Sequence, residues 1–210
     1  MLKIIFSAIF FVAFTFSNFV AAADKPKVAV MDLGEFRGAY TSELGTENAG
    51  TMVVDYIIKA LKNDGRFAVM DREYFEEQLN AKNLQKAGII SPSRAREIAK
   101  ILGIDYLIYG NVNNVGGNSS IFEIVPYGGG NFHKVKVRLI IRIMDIKNEG
   151  RIVAAAKGEG ISNSSEVKVG KDTIFVKIGT AKIPQVSVHN ALQKAASDST
   201  HKLLESFFGK

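Results

Sequence analysis

Two aspartates follow similar apolar runs, and these are the residues whose types and spacing could do chemistry. Asp32 ends the run VAVMD, and Asp71 ends FAVMD. If the two runs are neighbouring parallel strands, their carboxylates lie at the sheet edge where α/β proteins bind ligands. They could then form a catalytic pair acting on an exported polymer. The alternative is that each aspartate caps the turn or helix that follows it. We favour capping because no glycine-rich phosphate-binding loop accompanies them.

Other patterns for catalysis or metal binding are missing from the sequence. The only histidines are His133, His189 and His201, and none stands three or four residues from another, as a helical ligand pair would. The chain has no cysteine, and it lacks the G-x-S-x-G pattern of a serine hydrolase. We therefore expect no enzymatic activity, no metal and no cofactor.

The composition is that of a globular protein with a mildly basic surface. The chain has 210 residues, 47% of them hydrophobic and 23% charged, and a formal net charge of +6. Lys134, Lys136, Arg138 and Arg142 form a stripe that could dock an acidic partner or a glycan, although a solvated sheet face is the simpler interpretation. Nucleic acid is not an expected partner, since a basic stripe with interleaved aromatic residues is not evident.

The first 23 residues have the pattern of a secretory signal peptide. Lys3 is followed by the apolar stretch Ile4–Phe14, and Ala21 to Ala23 form a small-residue cleavage site. We expect export to the periplasm or cell envelope, with the mature chain starting at Asp24. The alternative is an uncleaved anchor, and the absence of cysteine argues against a lipoprotein.

Residues 24–210 are predicted to form a single α/β domain. Gly103 is expected to take a left-handed conformation that ends a helix, and Gly110 to end the strand Tyr106–Tyr109. The alternation of apolar and charged residues over Lys134–Ile146 predicts a half-exposed antiparallel strand. The predicted elements are strands at Lys27–Leu33, Arg66–Met70, Tyr106–Tyr109, Lys134–Ile146 and Arg151–Ile161, and helices ending near Lys62, Leu79, Leu102 and Phe208.

These elements predict a mixed sheet with helices packed on it. Its first half is expected to be parallel, because strand–helix–strand units cross over in that way, and its second half an antiparallel hairpin. Two inserts, near 117–133 and 162–184, are long enough to have a function. Each is expected to form a β-hairpin that extends beyond the domain.

The ordered set VAVMDL, ALKNDGRFAVMDR, EIAKILGIDYLIYGNV and VRLIIRIMDIKNEGRIV resembles the CsgG family of curli assembly and transport proteins. The resemblance covers nearly all of Lys27–Phe208, and LpoB-type periplasmic proteins and the N-terminal domain of TolB share the general fold. It implies a non-enzymatic envelope protein whose partners are other envelope proteins or secreted fibre subunits. A homo-oligomer is also an option that the resemblance raises.

The resemblance also implies candidate contact residues. CsgG contributes two β-hairpins from each subunit to a membrane pore, which a loop after the first strand narrows. By this resemblance, Phe36, Tyr40 and Leu44 lie in a constriction-type or partner-contact loop. The aromatic residues of the two inserts become candidate contacts: Phe122, Tyr127, Phe132 and Phe175.

Two functions follow from the resemblance. The first is assembly or secretion of envelope structures or surface fibres through protein–protein contacts, and the alternative is an outer-membrane pore subunit. Lys168, Lys171, Lys177 and Lys182 disfavour membrane insertion, because a lipid-facing lysine costs about 2–4 kcal/mol at mid-bilayer. Pro126 and the neighbouring glycines also interrupt the first insert. Lysines that face a pore lumen would cost little.

Overall fold

The computed structural model describes residues 24–35, 49–81, 92–125, 128–168, 175–179 and 182–209. The strands are β1 (Lys27–Val30), β2 (Gly34–Glu35), β3 (Ala68–Val69), β4 (Tyr106–Val125), β5 (Gly128–Asp145), β6 (Arg151–Lys168) and β7 (Phe175–Gly179). The helices are α1 (Ala49–Asp64), α2 (Arg72–Ala81), α3 (Pro92–Leu102) and α4 (Gln185–Phe208).

The described strands form one mixed sheet. Its central order is β3-β1-β4-β5-β6, and both β2 and β7 pair with β4. β1 runs parallel to β3 and β4, whereas β4 with β5 and β5 with β6 are antiparallel. The predicted α/β fold, with a parallel first half and an antiparallel second half, is therefore confirmed.

Helices cover both faces of β1. Val28 and Val30 pack in a cluster with α1 and α4, and Ala29 packs in a second cluster with α2 and α3. All three side chains are almost fully buried. This explains the continuous apolar run at the start of the domain, because a strand covered on both faces needs apolar residues at every position.

Two glycines let α4 lie directly on the edge strand β6. A Cβ atom at Gly158 would collide with the Ala195 carbonyl oxygen, and one at Gly160 would collide with that of Ala191. Ala191 and Ala195 are themselves fully buried. Small residues on both elements thus bring the helix backbone close to the strand.

Gly103 and Gly110 were each predicted to end an element, and only Gly103 does so. Gly103 has a φ of +63°, which confirms the predicted left-handed end of α3. Gly110, however, does not end the strand, because β4 continues to Val125 and pairs with β5 along its length. A Cβ at Gly110 would collide with the Ile140 carbonyl oxygen, so this glycine permits a close backbone approach.

The second insert pairs differently from the expected hairpin. β6 continues along β5 as far as Lys168, but β7 pairs with β4 on the other side of the β4–β5 hairpin. The two strand segments of this insert therefore flank the first hairpin. On α2, Phe75 and Leu79 are buried, whereas their neighbour Tyr74 is 50% exposed.

Candidate partner-binding surface

The sheet continues beyond the start of α4 as a four-stranded extension. We define the extension as residues 119–125 of β4, 128–133 of β5, 164–168 of β6 and 175–179 of β7. Ser187, in the first turn of α4, lies 2.9 Å from Ser164 through their hydroxyl oxygens. The strand order in the extension is β7-β4-β5-β6. Three of the predicted contact residues, Phe122, Phe132 and Phe175, lie in it.

Backbone register divides the extension into two sets of positions. Phe122 pairs with Ile178, and Ile124 pairs with Val176, so these four residues occupy positions of one face. Glu123 pairs with Lys177 at a position of the opposite face. Lys168 lies opposite Gly129, on the same set of positions as Glu123. The register therefore separates apolar from charged residues at β4 and β7.

Phe132 is the contact candidate with the best-defined surroundings. It lies between Ser120 and Ser165 on the neighbouring strands, and it is 57% exposed. Around it is a shallow depression of about 440 Å³, which Lys134 and His133 also line. An aromatic ring exposed among small polar residues is the kind of group that anchors a protein contact.

His133 lies on the buried face of the same strand. It is 3% exposed and pairs in register with Ser119 and Ser164. Its Nδ1 atom has no hydrogen-bond partner among the residues that the structure describes. Across the described ranges, no three histidine, cysteine, aspartate or glutamate side chains come together as a group that could hold a metal ion.

A basic face adjoins the extension on the exposed side of β5 and β6. We define the basic face as Lys134, Lys136, Arg138, Arg142 and Lys157, together with Glu159. Lys157 lies beside Ile140, and Glu159 lies beside Arg138. The predicted stripe is thus half-exposed to exposed, while the alternate positions Val135, Val137, Leu139, Ile141 and Ile143 are buried.

Glu159 is the only carboxylate of the basic face, and two cations hold it. Its carboxylate oxygens lie 2.6 Å from Lys136 Nζ and 3.2 Å from Arg138 Nε. The hydrogen bond from Lys136, with further help from Arg138, lowers the pKa of Glu159. Lys134, Lys157 and Arg142 form no ion pair with the residues that the structure describes.

The prediction of the basic face missed Lys157 and Glu159. Both lie on the returning strand of the hairpin, where charged residues also alternate with small ones. Pairing the residues of β5 and β6 one by one, outward from the turn at Lys147–Gly150, could have placed both residues beside β5. A bulge between Ile143 and Met144, however, shifts the pairing of the two strands by one residue.

Asp32 and Asp71, the candidate catalytic pair, take part in different structural interactions. Asp71 Oδ1 accepts a hydrogen bond of 3.0 Å from the Glu73 backbone N–H and caps α2. Asp32 Oδ1 lies 3.0 Å from Arg72 Nη2. Both carboxylates have structural partners, as the capping alternative anticipated for Asp71.

Arg72 joins three elements of the domain. Besides Asp32, it contacts Asp55 at 2.6 Å and Glu76 at 2.9 Å, and it donates to the Thr51 carbonyl oxygen at 3.0 Å. Burial works against the charged form of Arg72, but its hydrogen bonds with Asp55 and Glu76 raise its pKa overall. This cluster connects the end of β1 to α1 and α2.

Several predicted features lie outside the described residues. They are the loop residues Phe36, Tyr40 and Leu44, the insert residue Tyr127, and the predicted signal peptide at 1–23. Among the helices that the structure describes, none has the length and apolar character needed to span a bilayer.

Solved structures resemble the chain at low identity. The C-terminal domain of LpoB from Salmonella enterica is 17% identical, with a TM-score of 0.42 over 67% of this chain and 85% of that one. A PelC dodecamer from Paraburkholderia phytofirmans is 15% identical, with a TM-score of 0.41 over 89% and 90% of the two chains. A lipoprotein of Neisseria meningitidis is 15% identical, with a TM-score of 0.47 over 66% and 84%.

Family comparison gives the clearer result. No match to the chain was found among the curated proteins. A family model described as the curli production assembly/transport component CsgG, however, matches residues 12–209. The match spans β1 to α4 and includes the extension and the basic face. The chain therefore belongs to the CsgG family.

Proposed function

We propose that this chain is a non-enzymatic, exported protein of the cell envelope. It acts through protein–protein contacts in the assembly or secretion of envelope structures or curli-type surface fibres. Membership of the CsgG family supports the assembly or transport role. The predicted signal peptide supports export to the periplasm or envelope.

The observation that carries the contact function is the exposure of Phe132 in the extension. Phe132 is 57% exposed between two serines, although the core can bury aromatic residues such as Phe67 and Phe75. Placing a large apolar side chain in water forgoes about 1.5–3 kcal/mol of burial. A partner that covers Phe132 would recover much of that free energy, since aromatic anchors dominate many interfaces.

A substitution at this position tests the proposal in cells. A strain that lacks the gene is complemented with the wild type, with Phe132→Ser or with Val186→Ser, and the surface-fibre or secreted protein is quantified. Val186 is a matched control because it is 61% exposed but lies on α4. We expect Phe132→Ser to reduce the assembled product severalfold at equal protein level. Equal output from both variants and the wild type would contradict the contact role.

The second candidate is an outer-membrane pore subunit, and a specific observation favours it. The positions of Phe122, Ile124, Val176 and Ile178 share one face of the extension, whereas Glu123 and Lys177 belong to the other. If the apolar positions faced the lipid, the lysine positions would face away from it. The cost of lipid-facing lysines, which disfavours membrane insertion, would then be reduced.

Fractionation distinguishes the two candidates. A protein released from the periplasm by salt, without detergent, would contradict the pore function. Recovery as detergent-resistant rings that conduct ions in planar bilayers would contradict the first candidate. The third class, a polymer-acting enzyme, rested on Asp32 and Asp71, and their ion pair and cap leave it without a supporting observation.

A further inference from the structure

We propose that the basic face binds an extended acidic segment of a partner polypeptide. This inference rests on the proposed function and names the chemistry of the partner. The basic face adjoins the Phe132 depression at Lys134, but Phe132→Ser leaves every charged residue of the face in place, so the two proposals are tested separately.

The cations of the basic face repeat at the spacing of a β-strand. Residues 134, 136, 138, 140 and 142 of β5 define five successive rows across the sheet. Each row holds one cation: Lys134, Lys136, Arg138 and Arg142 in their own rows, and Lys157 beside Ile140. Two residues of a strand span about 7 Å, so the rows extend over about 27 Å.

The face is strongly unbalanced in charge. It holds five cations and one carboxylate, a net charge of +4, whereas the whole chain has a net charge of +6. Lys134 and Lys157 are exposed, and neither forms an ion pair with a described residue. A partner that is acidic along its length would neutralise these cations.

Glu159 demonstrates how the face holds a carboxylate. It bridges Lys136 and Arg138, which belong to adjacent rows, at 2.6 and 3.2 Å. A carboxylate of a partner would meet the same geometry between other neighbouring rows. Glu159 also competes for two of the five cations, so its removal is expected to strengthen binding of an acidic partner.

The row spacing favours a polypeptide over other polyanions. An extended peptide has the same rise per residue as β5, and its alternate side chains share one face. Acidic residues at every second position of the peptide would therefore each lie over one of the five rows. An acidic polysaccharide repeats its charges at the length of its sugar units, and an anionic bilayer has no linear repeat, so neither matches the two-residue spacing of the rows.

The test compares peptides of equal composition. A labelled nine-residue peptide with glutamate at every second position is titrated against the full mature chain by fluorescence anisotropy. A second peptide has the same residues with its glutamates in one block. We expect the alternating peptide to bind at least about fivefold more tightly, and Glu159→Gln to increase that affinity at least about twofold.

Charge-reversed variants locate the binding. Lys134→Glu with Lys157→Glu is expected to weaken binding at least about tenfold, since it removes two exposed cations and adds repulsion. The matched control, Lys59→Glu with Lys100→Glu, makes the same change in net charge on exposed positions of α1 and α3. We expect the control to retain affinity within about twofold. Neutral Lys134→Gln with Lys157→Gln, checked by circular dichroism, provides a variant with less risk to folding.

Several results would overturn the inference. They are equal affinity for the two peptides, equal loss in the reversed and control variants, and tighter binding to alginate or to phosphatidylglycerol vesicles than to the alternating peptide. If Phe132→Ser still reduces the assembled product in cells, any of these results would reject the acidic-segment inference alone. If, in addition, Phe132→Ser leaves the assembled product unchanged, the protein-contact function would be rejected as well.

Discussion

The backbone N–H of Glu159 donates a hydrogen bond of 3.0 Å to Asp198 Oδ2. Lys194 Nζ, one helical turn earlier on α4, donates to the Ile161 carbonyl oxygen at 3.1 Å. β6 is the edge of the sheet at this point, and an edge with free backbone groups can pair with other strands. Side chains of α4 therefore occupy the edge of β6 directly behind the basic face.

Asp198→Ala is predicted to destabilise this edge. The change removes the acceptor for the Glu159 N–H, and water replaces it only in part. We expect a loss of about 0.5–1.5 kcal/mol in the free energy of unfolding, measured by urea denaturation. The control is Glu205→Ala, which removes an exposed pair with His201 on the same helix. An equal loss in both variants would contradict a specific role for Asp198.

Gly160→Ala is predicted to be more damaging than Gly116→Ala. A Cβ at Gly160 would collide with the Ala191 carbonyl oxygen, and it would lie 2.5 Å from the Ala195 backbone nitrogen. At Gly116 the nearest contact would be Asn114 Oδ1 at 3.4 Å, which is tolerable. We expect Gly160→Ala to lower the free energy of unfolding by about 1–3 kcal/mol. Similar melting temperatures for the two variants would show that α4 can move away from β6.

Asp105 is predicted to contribute a stability that is lost in acid. Its hydrogen bonds with Lys147 Nζ at 2.7 Å and with the Lys27 backbone N–H at 2.8 Å lower its pKa below 3.8. A carboxyl with a depressed folded-state pKa stabilises the protein above its unfolded-state pKa, and the effect disappears as pH falls through the folded-state value.

The test for Asp105 is a pH series of unfolding measurements. We expect Asp105→Asn to be less stable than the wild type by a constant amount at pH 5–7, and the difference to shrink as the pH falls below 3.8. A control series with Asp24→Asn changes an exposed carboxyl that lies outside the helices and strands. A difference that stays unchanged at low pH would contradict the charge-based explanation.

Arg72→Met is predicted to loosen the connection of β1, α1 and α2. The change leaves Asp32, Asp55 and Glu76 without their shared cation and removes a donor to the Thr51 carbonyl oxygen. We expect a loss of about 1–3 kcal/mol in the free energy of unfolding. Lys62→Met, which removes an exposed 3.8 Å pair with Asp71, should cost less than about 0.5 kcal/mol. Comparable losses would contradict the central role of Arg72.

Local patterns in the sequence predicted the parts of the fold that short-range physics determines. The left-handed Gly103, the Asp71 cap and the alternation along β5 each depend on a few neighbouring residues. Gly110 misled the prediction because its local preference favours a break, whereas pairing of β4 with β5 on both sides of it outweighs that preference.

Some long-range relationships had no signature in the sequence. Nothing local to Phe175–Gly179 indicates that this segment pairs with β4 and not with β6. Likewise, the Glu159–Asp198 hydrogen bond joins residues 39 positions apart. The basic stripe on β5 was visible from its alternation, but the fifth cation, Lys157, depended on a register that a bulge had shifted.

The pairing of β7 with β4 has a consequence for the order in which the domain folds. Phe175 and Val125 pair although they are 50 positions apart, whereas the β4–β5 hairpin pairs Ile124 with Gly128. Closing a longer loop costs more chain entropy, so we expect the hairpin to form first and β7 to dock afterwards. On this expectation, the outer edge of β4 stays unpaired longer during folding than the edge that pairs with β5.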